Sequence, residues 1–78
     1  MDTNVKSMFI KINSVSDIQA FVKEASNVEG DIEVRKGRWC IDAKSLMGMF
    51  SIDCSTGVTV VYPTDAVEFQ NYLKQYEG

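Results

Sequence analysis

The feature that most restricts the fold of this chain is a pair of segments in which apolar residues recur with the period of an α-helix. The first segment, residues 16–27, has a stripe at i, i+3, i+4 and i+7 made of Ile18, Phe21, Val22 and Ala25. The second lies near the C-terminus and has a stripe made of Ala66, Phe69, Leu73 and Tyr76, with Tyr72 at its edge. A helix with one apolar stripe needs an apolar surface to cover it, so both helices require a common partner layer.

Four segments have the pattern or composition of β-strands and can supply that layer. Residues 6–13 alternate apolar with other residues, so that Met8, Ile10 and Ile12 share one face of a strand. Residues 31–35 and 38–41 lie on either side of Gly37 and predict a β-hairpin, with Trp39 and Ile41 on one face of its second strand. Residues 58–62 are β-branched and aromatic, which favours a well-covered strand.

The helix boundaries have local signals too. Ser16 with Gln19 three residues later matches a capping box at the start of the first helix, and Thr64 is placed to cap the last helix. A short helix is predicted directly after Ser45. The order of elements is therefore β-α-β-β-α-β-α. It predicts one α+β domain over residues 1–78, an open-faced two-layer β-sandwich with a four-stranded antiparallel sheet, two long helices and one short helix.

Composition excludes several classes of function. The net charge of −3 argues against nucleic acid as a partner, and no apolar run approaches the roughly 20 residues that a membrane helix needs. The polar segment 1–7 does not match a secretion signal, so we expect a cytoplasmic protein. Two cysteines, Cys40 and Cys54, without any histidine predict neither a metal site nor a disulfide framework. The basic cluster at Arg35, Lys36 and Arg38 is interpreted as a solvated turn rather than an anion site.

Residues 42–51, with the sequence DAKSLMGMFS, are more apolar than a short helix requires. Leu46, Met47 and Phe50 fall at i, i+1 and i+4, and one short helix cannot bury all three together. This segment resembles the sequence around the regulatory serine of HPr, the small phosphocarrier of the bacterial sugar phosphotransferase system. The HPr family also has the order of elements that is predicted for this chain.

The resemblance implies specific roles for this segment. Ser45 would be the acceptor for an ATP-dependent HPr kinase, and Leu46, Met47 and Phe50 would dock that kinase or a transcriptional regulator. A phosphate at the start of a helix is favoured by the helix dipole and its free N–H groups. Capping of the helix by Ser45 without any modification is an equally open interpretation of the same serine.

The resemblance fails at the position of the catalytic histidine. HPr proteins carry that histidine between the first strand and the first helix, whereas residues 13–18 of this chain read NSVSDI, and the sequence contains no histidine at all. A serine cannot replace it as a carrier, because a phosphoserine ester is stable whereas phosphoryl transfer needs a labile phosphoramidate. The expectation is therefore a protein that is not a phosphohistidine carrier.

Three functions are compared on these grounds. The preferred one is a non-catalytic, regulatory protein-interaction module, similar to the catabolite-repression variants of HPr that lack the histidine and keep the serine. The alternative is a structural module that self-associates, for example as a homodimer, through an edge strand or Phe50. An enzyme is disfavoured, because Asp42, Asp53 and Asp65 form no paired carboxylate site and no phosphate loop, metal motif or cofactor motif is recognisable.

Overall fold

The computed structural model describes residues 4–78 and contains four strands and three α-helices within that range. The strands are β1 (Val5–Ile10), β2 (Glu33–Lys36), β3 (Trp39–Asp42) and β4 (Val58–Pro63); the helices are α1 (Val15–Ser26), α2 (Leu46–Phe50) and α3 (Val67–Leu73). Single 3-10 turns at Cys54–Thr56 and Lys74–Tyr76 precede β4 and follow α3. None of the helices described is long and apolar enough to span a membrane. Part of the segment tested for a secretion signal, residues 1–3, lies outside the described residues.

The strands form one antiparallel sheet in the order β1-β4-β2-β3, which places β4 in the interior and leaves β1 and β3 as the edges. Successive side chains of a strand point to opposite faces, and one face of this sheet is buried beneath the helices. Its buried residues are Ile10, Val34, Val58, Val60 and Tyr62. The opposite face carries Ser7, Phe9, Arg35, Cys40 and Thr59. The structure thus confirms the predicted α+β open-faced sandwich.

Both predicted helical stripes face the sheet. Phe21 and Ala25 of α1 are fully buried, as is Leu73 of α3, and Phe69 is nearly so. The ring centroid of Phe69 lies 5.9 Å from that of Phe21 and 6.0 Å from that of Tyr62, so aromatic contacts join α1, α3 and β4. These distances are typical of favourable aromatic pairs, and they tie both helices to the central strand.

The start of α1 differs from the prediction. Ser14 is the N-cap, and its Oγ accepts a hydrogen bond from the Asp17 N–H at 3.1 Å, while Ser16 lies inside the first turn. The predicted capping box at Ser16 and Gln19 is therefore wrong. β1 also ends at Ile10, because the Ile12 N–H leaves the sheet and donates to the Cys54 carbonyl at 3.0 Å. The helix begins earlier because the strand ends earlier.

The start of α3 differs as well. Its N-cap is Ala66, which provides no side-chain cap, so the predicted cap at Thr64 is wrong. Pro63 still pairs with Val5 at the end of β4, and its carbonyl accepts from the Ala66 N–H at 3.0 Å, which makes residues 63–66 a turn. The helix that follows has seven residues and continues as a 3-10 turn, so the second of the predicted long helices is much shorter than α1.

Candidate functional site

A tight turn carries the chain from β3 into α2 and positions the candidate regulatory serine. The Asp42 Oδ1 accepts from the Lys44 N–H at 2.9 Å, and the Asp42 carbonyl accepts from the Ser45 N–H at 3.0 Å. The intervening Ala43 is fully buried, and its N–H donates to the Ile32 carbonyl at 3.0 Å. Asp42 therefore works as a turn residue, as its side-chain length allows.

The ammonium group of Lys44 anchors this turn to the end of α1. Its Nζ donates to the Val28 carbonyl and to the Gly30 carbonyl, both at 2.8 Å. These carbonyls lie just beyond the C-terminus of α1, where the helix dipole favours a positive charge. Sequence reasoning missed this role, because the partners lie 14 and 16 residues away and no local pattern connects them.

Ser45 is the N-cap of α2, as predicted. Its Oγ accepts from the Gly48 N–H at 3.1 Å, and its carbonyl accepts from the Met49 N–H at 3.0 Å. The serine is half-buried, so its hydroxyl takes part in the helix start while remaining partly open to solvent. This geometry is that of an ordinary cap, and it also places the hydroxyl at the positive end of the helix.

Three apolar side chains of α2 are open to solvent. Met47 has 85% of its surface exposed, Phe50 has 45% and Leu46 has 38%. Met49, the remaining apolar residue of α2, is fully buried and holds the helix on the core. We call Leu46, Met47 and Phe50 the α2 patch. It lies directly after Ser45 in the chain, so the predicted acceptor and the predicted docking residues share one short helix.

Gly48 allows α2 to approach β3 closely. A Cβ added at this glycine would lie 2.6 Å from the Cγ2 of Ile41 and 3.2 Å from the Ser45 Oγ, both closer than ordinary van der Waals contact. Contact between the helix and the strand therefore requires glycine at this position. The glycine sets the height of the α2 patch above the sheet.

The connection between β1 and α1, where the resemblance would place a catalytic histidine, is short and is held to the domain at Lys11, Ile12 and Ser14. The Lys11 N–H donates to the Tyr76 carbonyl and the Ile12 N–H to the Cys54 carbonyl, each at 3.0 Å, and Ile12 is buried. Ser14 already caps α1. Residues 11–14 therefore form a structural bridge with no projecting loop.

Two tyrosines from the C-terminal segment lie beside this connection. The hydroxyls of Tyr72 and Tyr76 are 3.2 Å apart, and the Tyr76 hydroxyl donates to the Asp17 Oδ1 at 3.4 Å. Burial, together with the hydrogen bond to Tyr76, raises the pKa of Tyr72 well above its ordinary value. Sequence reasoning gave these tyrosines only a packing role, since the residues they join are 59 positions apart in the chain.

The basic cluster near Gly37 is dispersed rather than convergent. The Arg35 guanidinium forms a salt bridge with Glu33 at 2.9 Å, and the Lys36 Nζ bonds to the Thr56 hydroxyl and to the Gly57 carbonyl. Arg38 is exposed at the turn. Two of the three cations thus have partners within the chain, which agrees with a solvated turn. No group of three or more metal-ligating side chains occurs in residues 4–78.

Comparison with known proteins gives the class that this fold and site define. The family model for the PTS HPr component phosphorylation site matches residues 17–71, which is more than half of the chain. The chain therefore belongs to this family. No curated protein matches it in sequence.

Two solved structures share the fold over nearly the whole chain. A phosphocarrier protein HPr from Bacillus anthracis str. Ames is 24% identical and superposes with a TM-score of 0.72, over 95% of this chain and 98% of that one. HPr-C-His from Thermoanaerobacter tengcongensis is 27% identical with a TM-score of 0.70, over 96% of this chain and 89% of that one. The predicted membership of the HPr family is confirmed.

Proposed function

We propose that this protein is a non-catalytic, regulatory member of the HPr family that binds a protein partner through the α2 patch and is controlled by phosphorylation of Ser45. The observation that carries the proposal is that Met47, two residues after Ser45, has 85% of its surface exposed. The partners that the family resemblance suggests are an HPr kinase and a transcriptional regulator. A cytoplasmic location belongs to the same proposal.

The chemistry of the patch supports docking. The thioether side chain of Met47 is flexible and polarizable, so it adapts to differently shaped partner surfaces. Phe50 adds an aromatic ring that is only about half covered. Exposed apolar side chains grouped on one short helix are a common feature of protein interaction sites. The buried Met49 and the anchored Lys44 hold this helix in place, so little ordering is needed on binding.

The position of Ser45 supports a switch. A phosphate on its Oγ would carry a charge of about −2 and could accept from the free N–H groups of the first turn of α2. The nearest lysine, Lys44, already donates to two carbonyls, so the added charge would remain available to a partner. An arginine on that partner would bind the phosphate through a bidentate pair of hydrogen bonds, next to an apolar contact with Met47.

The absence of a carrier function is the other half of the proposal. The sequence contains no histidine, and residues 11–14 provide no loop that could present one. A phosphoryl group on Ser45 would be an ester, which suits a signal that a phosphatase removes and does not suit onward transfer. We expect no labelling by enzyme I and phosphoenolpyruvate.

Kinase kinetics test the proposal directly. We expect HPr kinase with ATP to add one phosphate to the wild type, as seen by intact mass, and none to Ser45→Ala. The Met47→Asp variant should lose about tenfold or more in kcat/KM, equivalent to about 1.4 kcal/mol of docking energy. The matched control is Val15→Asp, which places the same charge on another exposed apolar residue in the first turn of a helix. An unmodified wild type, or equal losses in both aspartate variants, contradicts the proposal.

The alternative of a structural module has one supporting observation, the half-exposed ring of Phe50. If Phe50 joined two copies, the wild type would sediment as a dimer and Phe50→Ser would sediment as a monomer. A wild type that is phosphorylated on Ser45, and whose sedimentation is not changed by Phe50→Ser, would favour the regulatory function over this alternative.

A further inference from the structure

The outer edge of β3 is an exposed surface that the proposed function does not use. β3 pairs with β2 on one side and is the last strand of the sheet on the other. The Ala43 N–H donates to the Ile32 carbonyl, so these two residues form a hydrogen-bonded pair. Two and four residues further along the ladder, Val34↔Ile41 and Lys36↔Trp39 are then hydrogen-bonded pairs as well. Hydrogen-bonded and non-bonded pairs alternate in an antiparallel ladder. The backbone groups of Cys40 and the N–H of Asp42 therefore point outward.

The sequence along this edge is complementary to itself. Residues 38–42 read RWCID, with a cation at one end, an anion at the other and Cys40 in the middle. If a second copy pairs antiparallel so that the two Cys40 residues are opposite, Trp39 faces Ile41 of the second copy. Arg38, in the turn that leads into β3, then lies next to Asp42 of the second copy. Both the apolar pair and the charged pair are favourable cross-strand combinations, and each occurs twice.

The two faces of the strand also agree with this register. Trp39 and Ile41 lie on the face of the sheet that the helices cover, whereas Cys40 and Asp42 lie on the open face. Trp39 is 64% exposed and Ile41 is half-buried, so each has surface left to cover. Moving the register by two residues would separate Arg38 from Asp42 of the second copy. Only the Cys40-centred register satisfies both faces.

We propose that this protein forms a symmetric dimer in which β3 pairs antiparallel with β3 of a second copy, centred on Cys40. The two four-stranded sheets become one continuous sheet of eight strands. The two Cys40 residues exchange backbone hydrogen bonds across the twofold axis. The proposal is independent of the role of Ser45 and of the α2 patch.

The expected dimer is weak, because β3 has only four residues and a stable interface usually buries more than about 1,000 Å². Sedimentation velocity and amide NMR of the wild type up to about 1 mM should therefore show concentration-dependent dimerisation. The backbone amides of Cys40 and Asp42 should gain protection from hydrogen exchange as concentration rises, since free strand edges exchange quickly. A wild type that stays monomeric at 1 mM, or protection that appears on β1 instead, overturns the proposal.

Charge exchange tests the register. Arg38→Glu places two pairs of like charges across the axis and should raise the dimer Kd about tenfold or more. Adding Asp42→Lys to the same chain restores opposite charges and should return the Kd to within about threefold of the wild type. Lys6→Glu makes the same charge change on the other edge strand and should leave the Kd unchanged. A Kd that Arg38→Glu does not change, or that Lys6→Glu raises equally, contradicts the register.

Cross-linking provides a measurement that does not depend on the Asp42 variant, whose lost hydrogen bond to Lys44 could weaken the fold. Facing residues of a hydrogen-bonded pair have Cα atoms about 5.5 Å apart, which is within disulfide range. Diamide should therefore convert the two Cys40 thiols to a disulfide as it is itself reduced to the hydrazine. The hydrogen bond to Glu33 raises the pKa of the Cys40 thiol, so the reaction is run near pH 8.5.

The wild type should cross-link quickly, Arg38→Glu slowly and Cys40→Ser not at all, since Cys54 is buried. Equal rates for the wild type and Arg38→Glu would overturn the proposal.

Discussion

Replacing Gly48 with alanine tests how the α2 patch is held on the domain. The added methyl would lie 2.6 Å from the Ile41 Cγ2, about 0.8 Å inside ordinary contact, and Cγ2 is fixed to a stiff β-branched carbon. Overpacking of this kind costs about 1–3 kcal/mol. Alanine favours a helix over glycine by about 1 kcal/mol, which offsets part of that cost. The expected net loss in the free energy of unfolding is about 1 kcal/mol, a fall in Tm of about 4–8 °C.

The cost should largely disappear when Ile41 is shortened. In an Ile41→Ala background only the 3.2 Å approach to the Ser45 Oγ remains, so Gly48→Ala should be between neutral and stabilising by about 1 kcal/mol, the gain in helix propensity. Urea unfolding of the wild type, the two single variants and the double variant gives the coupling energy. A coupling energy below about 0.5 kcal/mol would refute the close contact between α2 and β3, because the effects of substitutions at independent sites add to within that amount.

Three further predictions concern the cap of α2, the close approach at Gly57 and the half-buried Tyr72. Ser45→Ala should lower the free energy of unfolding by about 1 kcal/mol, and Ser45→Asp should lose less because its carboxylate still accepts from the first turn; equal losses in urea unfolding would argue against the cap. Gly57 has a φ of +115°, and a Cβ added there would overlap the Phe9 ring, so Gly57→Ala should lower the free energy of unfolding by about 2–4 kcal/mol. Gly37 has a φ of +58° and open space around it, so Gly37→Ala should lower it by only about 1–2 kcal/mol. Because the raised pKa of Tyr72 favours its neutral form, this contribution to stability is present below about pH 10 and is lost as the pH rises through the pKa of the folded state. Burial also raises the pKa of Tyr62, so absorbance at 295 nm should show late tyrosine titration that Tyr72→Phe reduces without abolishing it. Late titration that Tyr72→Phe leaves unchanged would contradict this.

The parts of the fold that the sequence predicted are those in which one periodic pattern dominates. The stripe containing Phe21 and Ala25 reports burial directly, since side chains on the core face must be apolar whatever the neighbouring elements do. β4 was predicted from its β-branched and aromatic composition instead. The N-cap of α2 could also be predicted, because Ser45 is the only cap residue directly before the apolar run. Element order followed from these patterns, and with it the fold class.

The incorrect predictions arose where two local signals competed or where a distant residue decided. Ser14 and Ser16 are both possible N-caps, since Asp17 and Gln19 follow them by three residues. The backbone bond from Ile12 to Cys54 ends β1 early, so Ser14 is the serine that caps α1. Thr64 precedes Asp65 and Glu68 as an N-cap residue would, and no local pattern shows that Pro63 still pairs with Val5. The anchoring of Lys44 and the tyrosine network join segments far apart in the chain. Such contacts belong to the tertiary structure and leave no local trace.

The compact bridge from β1 to α1 limits what a single substitution could add at this end of the sheet. A histidine at position 12 would replace a buried side chain, and one at position 14 would remove the cap of α1. Lys11 and Asn13 are exposed, but backbone bonds from residues 11 and 12 to Tyr76 and Cys54 hold the chain close to the domain there, so an imidazole at either position would have no surrounding loop. A phosphoryl-accepting site at this place would therefore require inserted residues as well as a histidine.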